Sequence, residues 1–101
     1  MSIDTKDAIH VAVAGTTVTS GAASASVAVP NNSAGVRARV LRLVSPGNVY
    51  VKLGNGATTA TTSDMMISAN LDTYVNTQNF NTIAYLEATA GALLNITPLE
   101  A

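Results

Sequence analysis

The sequence contains no cysteine, few charged residues and few aromatic residues. Without cysteine, neither a disulfide framework nor thiol chemistry is available to this chain. Charged residues make up 11% of the sequence, far below the usual quarter. Aromatic residues make up only 4%, so the predicted core consists mainly of Val, Ile and Leu. Its few large side chains are Phe80, Tyr50, Tyr74 and Tyr85.

The charge balance argues against a nucleic-acid partner. The net charge is −1, whereas a nucleic-acid-binding domain carries a basic surplus that neutralises phosphates. Three arginines, Arg37, Arg39 and Arg42, follow one another along a single predicted strand. We expect their partners to be among Asp64, Asp72 and Glu87. We therefore predict no nucleic-acid partner.

Long apolar runs are also missing. No run approaches the roughly 20 residues that a membrane-spanning helix requires. The opening MSIDTKDAIH has neither the basic n-region nor the apolar core of a signal peptide. From these features we predict a protein that is synthesised in the cytoplasm and has no membrane partner.

Residues suited to catalysis or metal binding are scarce. His10 is the only histidine, and no carboxylate or cysteine stands near it at zinc-ligand spacing. A calcium site built on Asp64 and Asp72 would need several more clustered oxygen atoms. A nucleophile–base pair would depend on the same single histidine. We predict that the chain is not an enzyme and holds no metal or cofactor.

Short segments in which apolar residues alternate with small polar ones make up most of the chain. The predicted strands lie at residues 9–14, 16–20, 24–29, 36–44, 49–53, 83–88 and 93–97, and residues 65–67 are either a further short strand or an anchor. Residues 54–57 are predicted as a flexible turn, and the threonine-rich residues 58–63 as an exposed edge strand or a mobile loop. About eight short antiparallel strands without an amphipathic helix predict an all-β fold. We expect a small, jelly-roll-like β-sandwich rather than an immunoglobulin-like one.

The 101 residues are enough for one domain. We assign residues 8–101 to the β-sandwich and residues 1–7 to a flexible N-terminal arm, because chain termini fray unless they are tied down.

Residues 36–53, VRARVLRLVSPGNVYVKL, are predicted to form the centre of the fold. Pro46 and Gly47 suit the second and third positions of a type II turn, in which the glycine takes a positive φ. The flanking strands are therefore predicted to pair as a hairpin. The consecutive apolar residues Val40 and Leu41 predict either a β-bulge or a strand covered on both faces, and we favour the second. The predicted cross-strand pairs are Val44 with Val49, Arg42 with Val51 and Val40 with Leu53.

The predicted surface is neutral and rich in Thr, Ala, Ser and Asn. Such side chains lose little conformational entropy when they are ordered, and their desolvation costs less than that of Lys or Glu. A monomer gains solubility from charge, and this chain has little of it. The composition favours a subunit whose exterior is covered by neighbours, although a simple compositional bias would give the same pattern.

Three stretches carry a resemblance to a known family: residues 36–54 around VRARV and VYVKLG, residues 60–65 (ATTSDM), and residues 85–96 with Ala90-Gly91 as the turn. In layout, length, lack of cysteine and neutral surface, the chain resembles the capsid decoration (cement) proteins of tailed bacteriophages. The resemblance implies a small β-sandwich that binds the outer surface of a phage head as a homo-dimer or homo-trimer. It also implies that the protein stabilises contacts between major capsid subunits.

The major capsid protein is the implied partner, and the surface of the virion is the implied location. The candidate capsid or subunit contacts are Ile3, Thr5, Asn55, Thr58, Thr59 and Thr61. Two other functions stay open. One is a head-fibre or tail-fibre module that binds a receptor or glycan through Tyr74 and Phe80. The other is a tail-tube or head–tail joining subunit, which would form tubes or rings.

Overall fold

Eight short strands form two four-stranded sheets in the computed structural model, which describes residues 15–99. Sheet A has the strand order β1-β8-β3-β6, and sheet B has the order β2-β7-β4-β5. The predicted arm, the predicted strand at residues 9–14 and the candidate contacts Ile3 and Thr5 lie outside the described residues. The strands are β1 (Thr16–Thr19), β2 (Ala25–Ala28), β3 (Val40–Val44), β4 (Val49–Gly54), β5 (Met65–Ile67), β6 (Thr73–Asn76), β7 (Thr82–Glu87) and β8 (Leu93–Leu99).

The chain passes back and forth between the two sheets. Successive strands alternate between sheets except for β4 and β5, which are neighbours in sheet B. Every strand pair is antiparallel. Two facing sheets with the orders 1-8-3-6 and 2-7-4-5 have the jelly-roll topology. The predicted all-β, jelly-roll-like sandwich is confirmed, and residues 15–99 contain no helix.

Side chains from both sheets meet in one apolar core. Along β3, Leu41 and Leu43 are fully buried, whereas Val40, Arg42 and Val44 are half-buried on the outer face. This alternation and the unbroken register with β6 and β8 exclude the alternative of a bulge at Val40 and Leu41. The favoured prediction, a strand covered on both faces, is met only in part, because the outer face is half-buried. The other fully buried apolar side chains of the core are Ala38, Val49, Ile67, Ile83, Leu94 and Ile96.

The predicted hairpin between β3 and β4 is wrong. Strand β3 pairs with β6 and β8 in sheet A, and β4 pairs with β5 and β7 in sheet B. None of the predicted pairs of β3 with β4 forms. Residues 45–48 instead carry the chain from one sheet to the other, so that Leu43 and Val49 belong to opposite walls of the core. In this way β3 and β4 each obtain two hydrogen-bonded neighbours, whereas an isolated hairpin would give each of them only one.

The predicted type II turn is also wrong, because Gly47 is not among the glycines with positive φ. Glycine is needed at this position for a different reason. A Cβ at Gly47 would lie 2.8 Å from the Cβ of Ala92 and 3.0 Å from the Cβ of Thr89. The N–H of Gly47 donates to the Oγ of the buried Ser45 at 3.1 Å. The connection therefore selects glycine for its small size.

Residues 45–48 also hold two other parts of the chain. The N–H of Asn70 donates to the carbonyl oxygen of Ser45 at 2.7 Å. The N–H of Ala69 donates to Oδ1 of Asn48 at 2.8 Å. The carbonyl oxygen of Asn48 accepts hydrogen bonds from the N–H groups of Ala88 and Thr89. Buried packing and backbone hydrogen bonds together fix this short connection.

Candidate functional site

Four of the six candidate contact residues lie in the connection between β4 and β5, residues 55–64, which we call the β4–β5 loop. The loop contains no strand, so the edge-strand alternative for its threonine-rich part is wrong. It joins two neighbouring strands, and the last register pair before it is Val51 with Met65. Surface loops that a rigid scaffold positions frequently carry function.

Asn81 holds the start of the β4–β5 loop. Its backbone N–H donates to Oδ1 of Asn55 at 3.1 Å and to the carbonyl oxygen of Gly54 at 3.1 Å. Its side-chain Oδ1 accepts a hydrogen bond from the N–H of Gly56 at 3.0 Å. Residues 54–56 are therefore fixed by one asparagine that precedes β7. The flexible turn predicted for residues 54–57 is instead held by hydrogen bonds.

Ser24 holds the middle of the loop. The N–H of Ala60 donates to the Oγ of Ser24 at 2.8 Å, and Ala60 is buried. Ser24 precedes β2, which lies at the opposite edge of sheet B from β5. The loop therefore crosses sheet B and returns. This path accounts for Ala84, which the register places on the outer face beside Lys52 but which is fully buried.

Asp64 holds the end of the loop. Its Oδ2 accepts hydrogen bonds from the N–H of Thr61 at 2.7 Å and from the Oγ1 of Thr61 at 3.2 Å. The Oγ1 of Thr58 donates to the carbonyl oxygen of Gly56 at 3.1 Å. Asn55, Thr59 and Thr61 are exposed, and Thr58 is half-buried. The structure therefore brings the four candidate contacts together on one ordered loop over sheet B.

An apolar row on the outer face of sheet B is a second feature, which the sequence reasoning missed. Tyr50 of β4 is in register with Met66 of β5 and with Leu86 of β7. Met66 is exposed, and Tyr50 and Leu86 are half-buried. The alternation within β4 indicated that Tyr50 points away from Val49 and Val51. Its neighbours could not be read from the sequence, because they depend on which strands pair.

The outer face of sheet A carries a polar group beside exposed apolar side chains. Nε of Arg42 lies 3.4 Å from Oδ2 of Asp72, and the hydroxyl of Tyr74 donates to the same oxygen at 3.4 Å. A backbone hydrogen bond, together with the positive charge and hydrogen bond of Arg42, lowers the pKa of Asp72. Asp72, one of the three acids predicted as partners of the arginines, therefore pairs with Arg42. Asp64 and Glu87 accept hydrogen bonds from loop N–H groups.

A shallow apolar depression of about 340 Å³ lies next to this group. Leu93 and Val44 belong to its lining, and Leu93 is exposed. No charged side chain contributes to the depression. Its lining consists of Thr17, Val44, Ser45, Pro46, Asn70, Leu93 and Asn95.

Tyr74 and Phe80, the pair considered for glycan binding, are both exposed. Tyr74 is on the outer face of β6, and Phe80 is in the loop that leads to β7. Within residues 15–99, no group of three or more His, Cys, Asp or Glu side chains could hold a metal ion. The same part of the chain has no helix that is long and apolar enough to cross a membrane.

Comparisons of this chain with protein-family models, with curated proteins and with solved structures find no match.

Proposed function

We propose that this chain is a structural virion protein, a capsid decoration or cement protein that binds the outer surface of a phage head. It would form a homo-dimer or homo-trimer and stabilise contacts between major capsid subunits. The observation that carries this proposal is the exposure of large apolar side chains on a surface with very few charges. Among the described residues these side chains are Val36, Met65, Met66, Leu71, Tyr74, Phe80 and Leu93.

Covering such side chains is favourable, because each Å² of apolar surface removed from water contributes about 25 cal/mol. Single exposed apolar residues are ordinary, but contiguous ones mark interaction surfaces. Tyr50 adjoins Met66 on one side and Leu86 on the other, across three strands of sheet B. A shell protein whose exterior is occupied by neighbours benefits from this surface, whereas a monomer would gain more from charge.

The ordered β4–β5 loop supports the same proposal. A contact loop that is already fixed by Asn81, Ser24 and Asp64 loses little conformational freedom when a partner binds. Threonine and asparagine side chains on such a loop can donate and accept hydrogen bonds without desolvating a charge. An oligomer that presents several copies of the loop to a repeating shell gains avidity from weak single contacts.

The fold is consistent with the proposal but does not decide it. Jelly rolls occur in viral capsid proteins and also in lectins, and one fold hosts many functions. The support from topology is therefore an analogy. The virion location and the capsid partner follow from the resemblance of the sequence, and the exposed apolar surface supports a covered exterior.

The proposal is tested by looking for the chain on virus particles that are produced by cells carrying its gene. Gradient-purified particles would be analysed by mass spectrometry and labelled with a gold-tagged antibody against the chain. We expect many copies per particle, with label distributed over the shell. Particles that lack the chain would contradict the proposal. Label at one vertex would favour a head–tail joining subunit, and label on projections would favour a fibre.

Glycan binding is the second candidate function, because Tyr74 and Phe80 present exposed rings. Aromatic rings with an adjacent polar group suit sugar binding, since the ring faces cover apolar sugar surface while polar atoms make hydrogen bonds. A glycan array with the purified chain tests this function. Specific signal that is lost in Tyr74→Ala would favour a receptor-binding module over a cement protein.

A further inference from the structure

Asn55 and Gly56 form the only Asn-Gly pair in the sequence, and both residues are exposed at the start of the β4–β5 loop. A glycine after an asparagine leaves the backbone nitrogen free of a neighbouring Cβ. The asparagine side-chain carbonyl is then open to attack by that nitrogen. Asparagine is for this reason one of the chemically labile residues of proteins.

We propose that Asn55 is a site of spontaneous deamidation and that Asn81 controls the rate of this reaction. The inference concerns the chemistry of the loop and does not depend on the proposed function. It rests on one geometric fact: the two groups that must react with each other are both hydrogen-bonded to Asn81.

The reaction proceeds in two steps, with water as the only co-reactant. The backbone nitrogen of Gly56 attacks Cγ of Asn55, and the new N–Cγ bond forms as the Cγ–Nδ2 bond breaks. Ammonia leaves with the proton from the N–H of Gly56. Water then opens the succinimide ring. Attack at Cγ gives aspartate, and attack at the backbone carbonyl carbon gives isoaspartate.

Asn81 opposes the first step by holding the N–H of Gly56, whose nitrogen is the nucleophile, and by fixing the orientation of the Asn55 side chain. Its Oδ1 accepts the N–H of Gly56 at 3.0 Å, and its N–H donates to Oδ1 of Asn55 at 3.1 Å. The nitrogen must lose its proton and turn towards Cγ, and both changes break the hydrogen bond to Oδ1 of Asn81. An amide oxygen is too weak a base to remove this proton, so the contact retains the proton. Thr82 supports the arrangement by donating to the same Oδ1 at 2.7 Å.

Asn32, which precedes Ser33, provides an internal comparison. Its Oδ1 accepts hydrogen bonds from the N–H groups of Ala34 and Val36 at 3.0 and 3.2 Å. The residue that follows carries a side chain, which hinders the approach of its nitrogen. We therefore expect Asn55 to react ahead of Asn32 in the same sample.

Conversion of Asn55 changes the loop in two ways. The new carboxylate alters the net charge from −1 to −2, because a neutral amide becomes an anion. Isoaspartate also routes the main chain through Cγ and adds a methylene to it, which moves the N–H of Gly56 away from Asn81. Both changes fall on a residue that is a candidate contact.

The experiment follows deamidation in the purified full chain during incubation at mildly alkaline pH. Peptide mass mapping locates the modified residue, and enzymatic methylation specific for isoaspartate counts it. We expect modification at Asn55 in the wild type, several-fold faster modification in Asn81→Ala, and none at position 55 in Asn55→Gln, because glutamine would need a less favourable six-membered ring. The wild type in urea gives the rate of the unfolded chain.

Circular dichroism establishes whether Asn81→Ala is folded under the same conditions. If folded Asn81→Ala reacts at the wild-type rate, Asn81 does not limit the rate of deamidation. If Asn32 is modified before Asn55, Asn55 is not the preferred site. If Asn81→Ala does not fold, Thr82→Val takes its place, because it removes only the hydrogen bond that supports Oδ1 of Asn81. Acceleration in Thr82→Val supports the inference, and an unchanged rate rejects it.

Discussion

The chain enters β4 through residues 45–48 and leaves it through the β4–β5 loop, and these two connections are held in place by different means. In residues 45–48, Ser45 and Gly47 are buried, and Gly47 packs against Ala92 and Thr89. In the β4–β5 loop most residues are exposed. Hydrogen bonds from Asn81, Ser24 and Asp64 fix that loop at its start, middle and end.

The difference shows that turn composition does not determine how a connection is ordered. The short connection contains a proline and a glycine, which are turn residues, yet its function is to cross between sheets. The long loop is rich in threonine and has almost no apolar content, yet it has one defined path. Packing fixes the first connection, and polar contacts with distant segments fix the second.

Engineered disulfides should give the largest effect, because a pair of cysteines either forms an S–S bond or remains reduced. Tyr50 and Met66 are register partners on neighbouring strands, where Cα atoms lie about 4.5–5.5 Å apart. This separation suits a disulfide, so Tyr50→Cys with Met66→Cys should form one under mild oxidation. Gel mobility without reductant measures closure, and the chain has no other cysteine.

The matched control is Arg42→Cys with Val51→Cys, the pair that a β3–β4 hairpin would place side by side. These residues belong to different sheets, and facing sheets lie about 10 Å apart, beyond disulfide reach. We expect no bond in this variant. Closure of the control pair together with failure of Tyr50 and Met66 would restore the hairpin and remove the contrast between the two connections.

The sequence was sufficient to predict most of the strands within residues 15–99 but not their partners. The apolar runs at residues 36–44 and 49–53 marked two strands, although β3 begins only at Val40. Pro46-Gly47 marked the break between them. A tight turn and a crossing between sheets use the same residue types, so the local sequence could not distinguish them. The distinction lies in long-range register, such as Leu43 opposite Ile96, which no short segment encodes.

The candidate site was predicted in part for the same reason. Asn55, Thr58, Thr59 and Thr61 were assigned from composition, and the structure does bring them together on one loop. The order of that loop was missed, because it depends on Asn81 and Ser24, which are distant in sequence. The row of Tyr50, Met66 and Leu86 was missed because it exists only once three strands are aligned.

Gly47→Ala tests whether packing fixes residues 45–48, and it should give the next largest effect. The added Cβ would lie 2.8 Å from the Cβ of Ala92, which is buried and attached directly to the main chain. Overpacking of this kind lowers the free energy of unfolding by about 1–3 kcal/mol. Urea unfolding measures the loss.

Gly21→Ala is the control, because the nearest atom to its added Cβ is the carbonyl oxygen of Ala23 at 4.0 Å. It should stabilise the fold by about 0.4–1 kcal/mol through the unfolded state. Equal effects of the two substitutions would mean that residues 45–48 are not held by packing.

Ser24→Ala tests whether hydrogen bonds fix the β4–β5 loop. It removes the acceptor for the N–H of Ala60, which should lower the free energy of unfolding by about 1 kcal/mol. Hydrogen exchange at Ala60 should accelerate as well, because the loop is released locally. Ser26→Ala, on the exposed face of β2, should change stability by less than about 0.5 kcal/mol. Unchanged exchange at Ala60 would show that the loop does not depend on this contact.

Asp72→Asn should give the smallest effect. It measures the contribution of an exposed contact that lies in neither of the two connections. Because the folded pKa of Asp72 is lowered, its carboxylate contributes stability that is fully present above the unfolded pKa of about 4. That contribution is lost as the pH falls through the folded pKa. The melting temperature of the wild type should therefore exceed that of Asp72→Asn slightly at neutral pH, and the difference should vanish in acid. Added salt should also reduce it, because Arg42 and Asp72 are exposed enough to be screened. A difference that grows as the pH falls would show that the ionised carboxylate does not stabilise this face of sheet A.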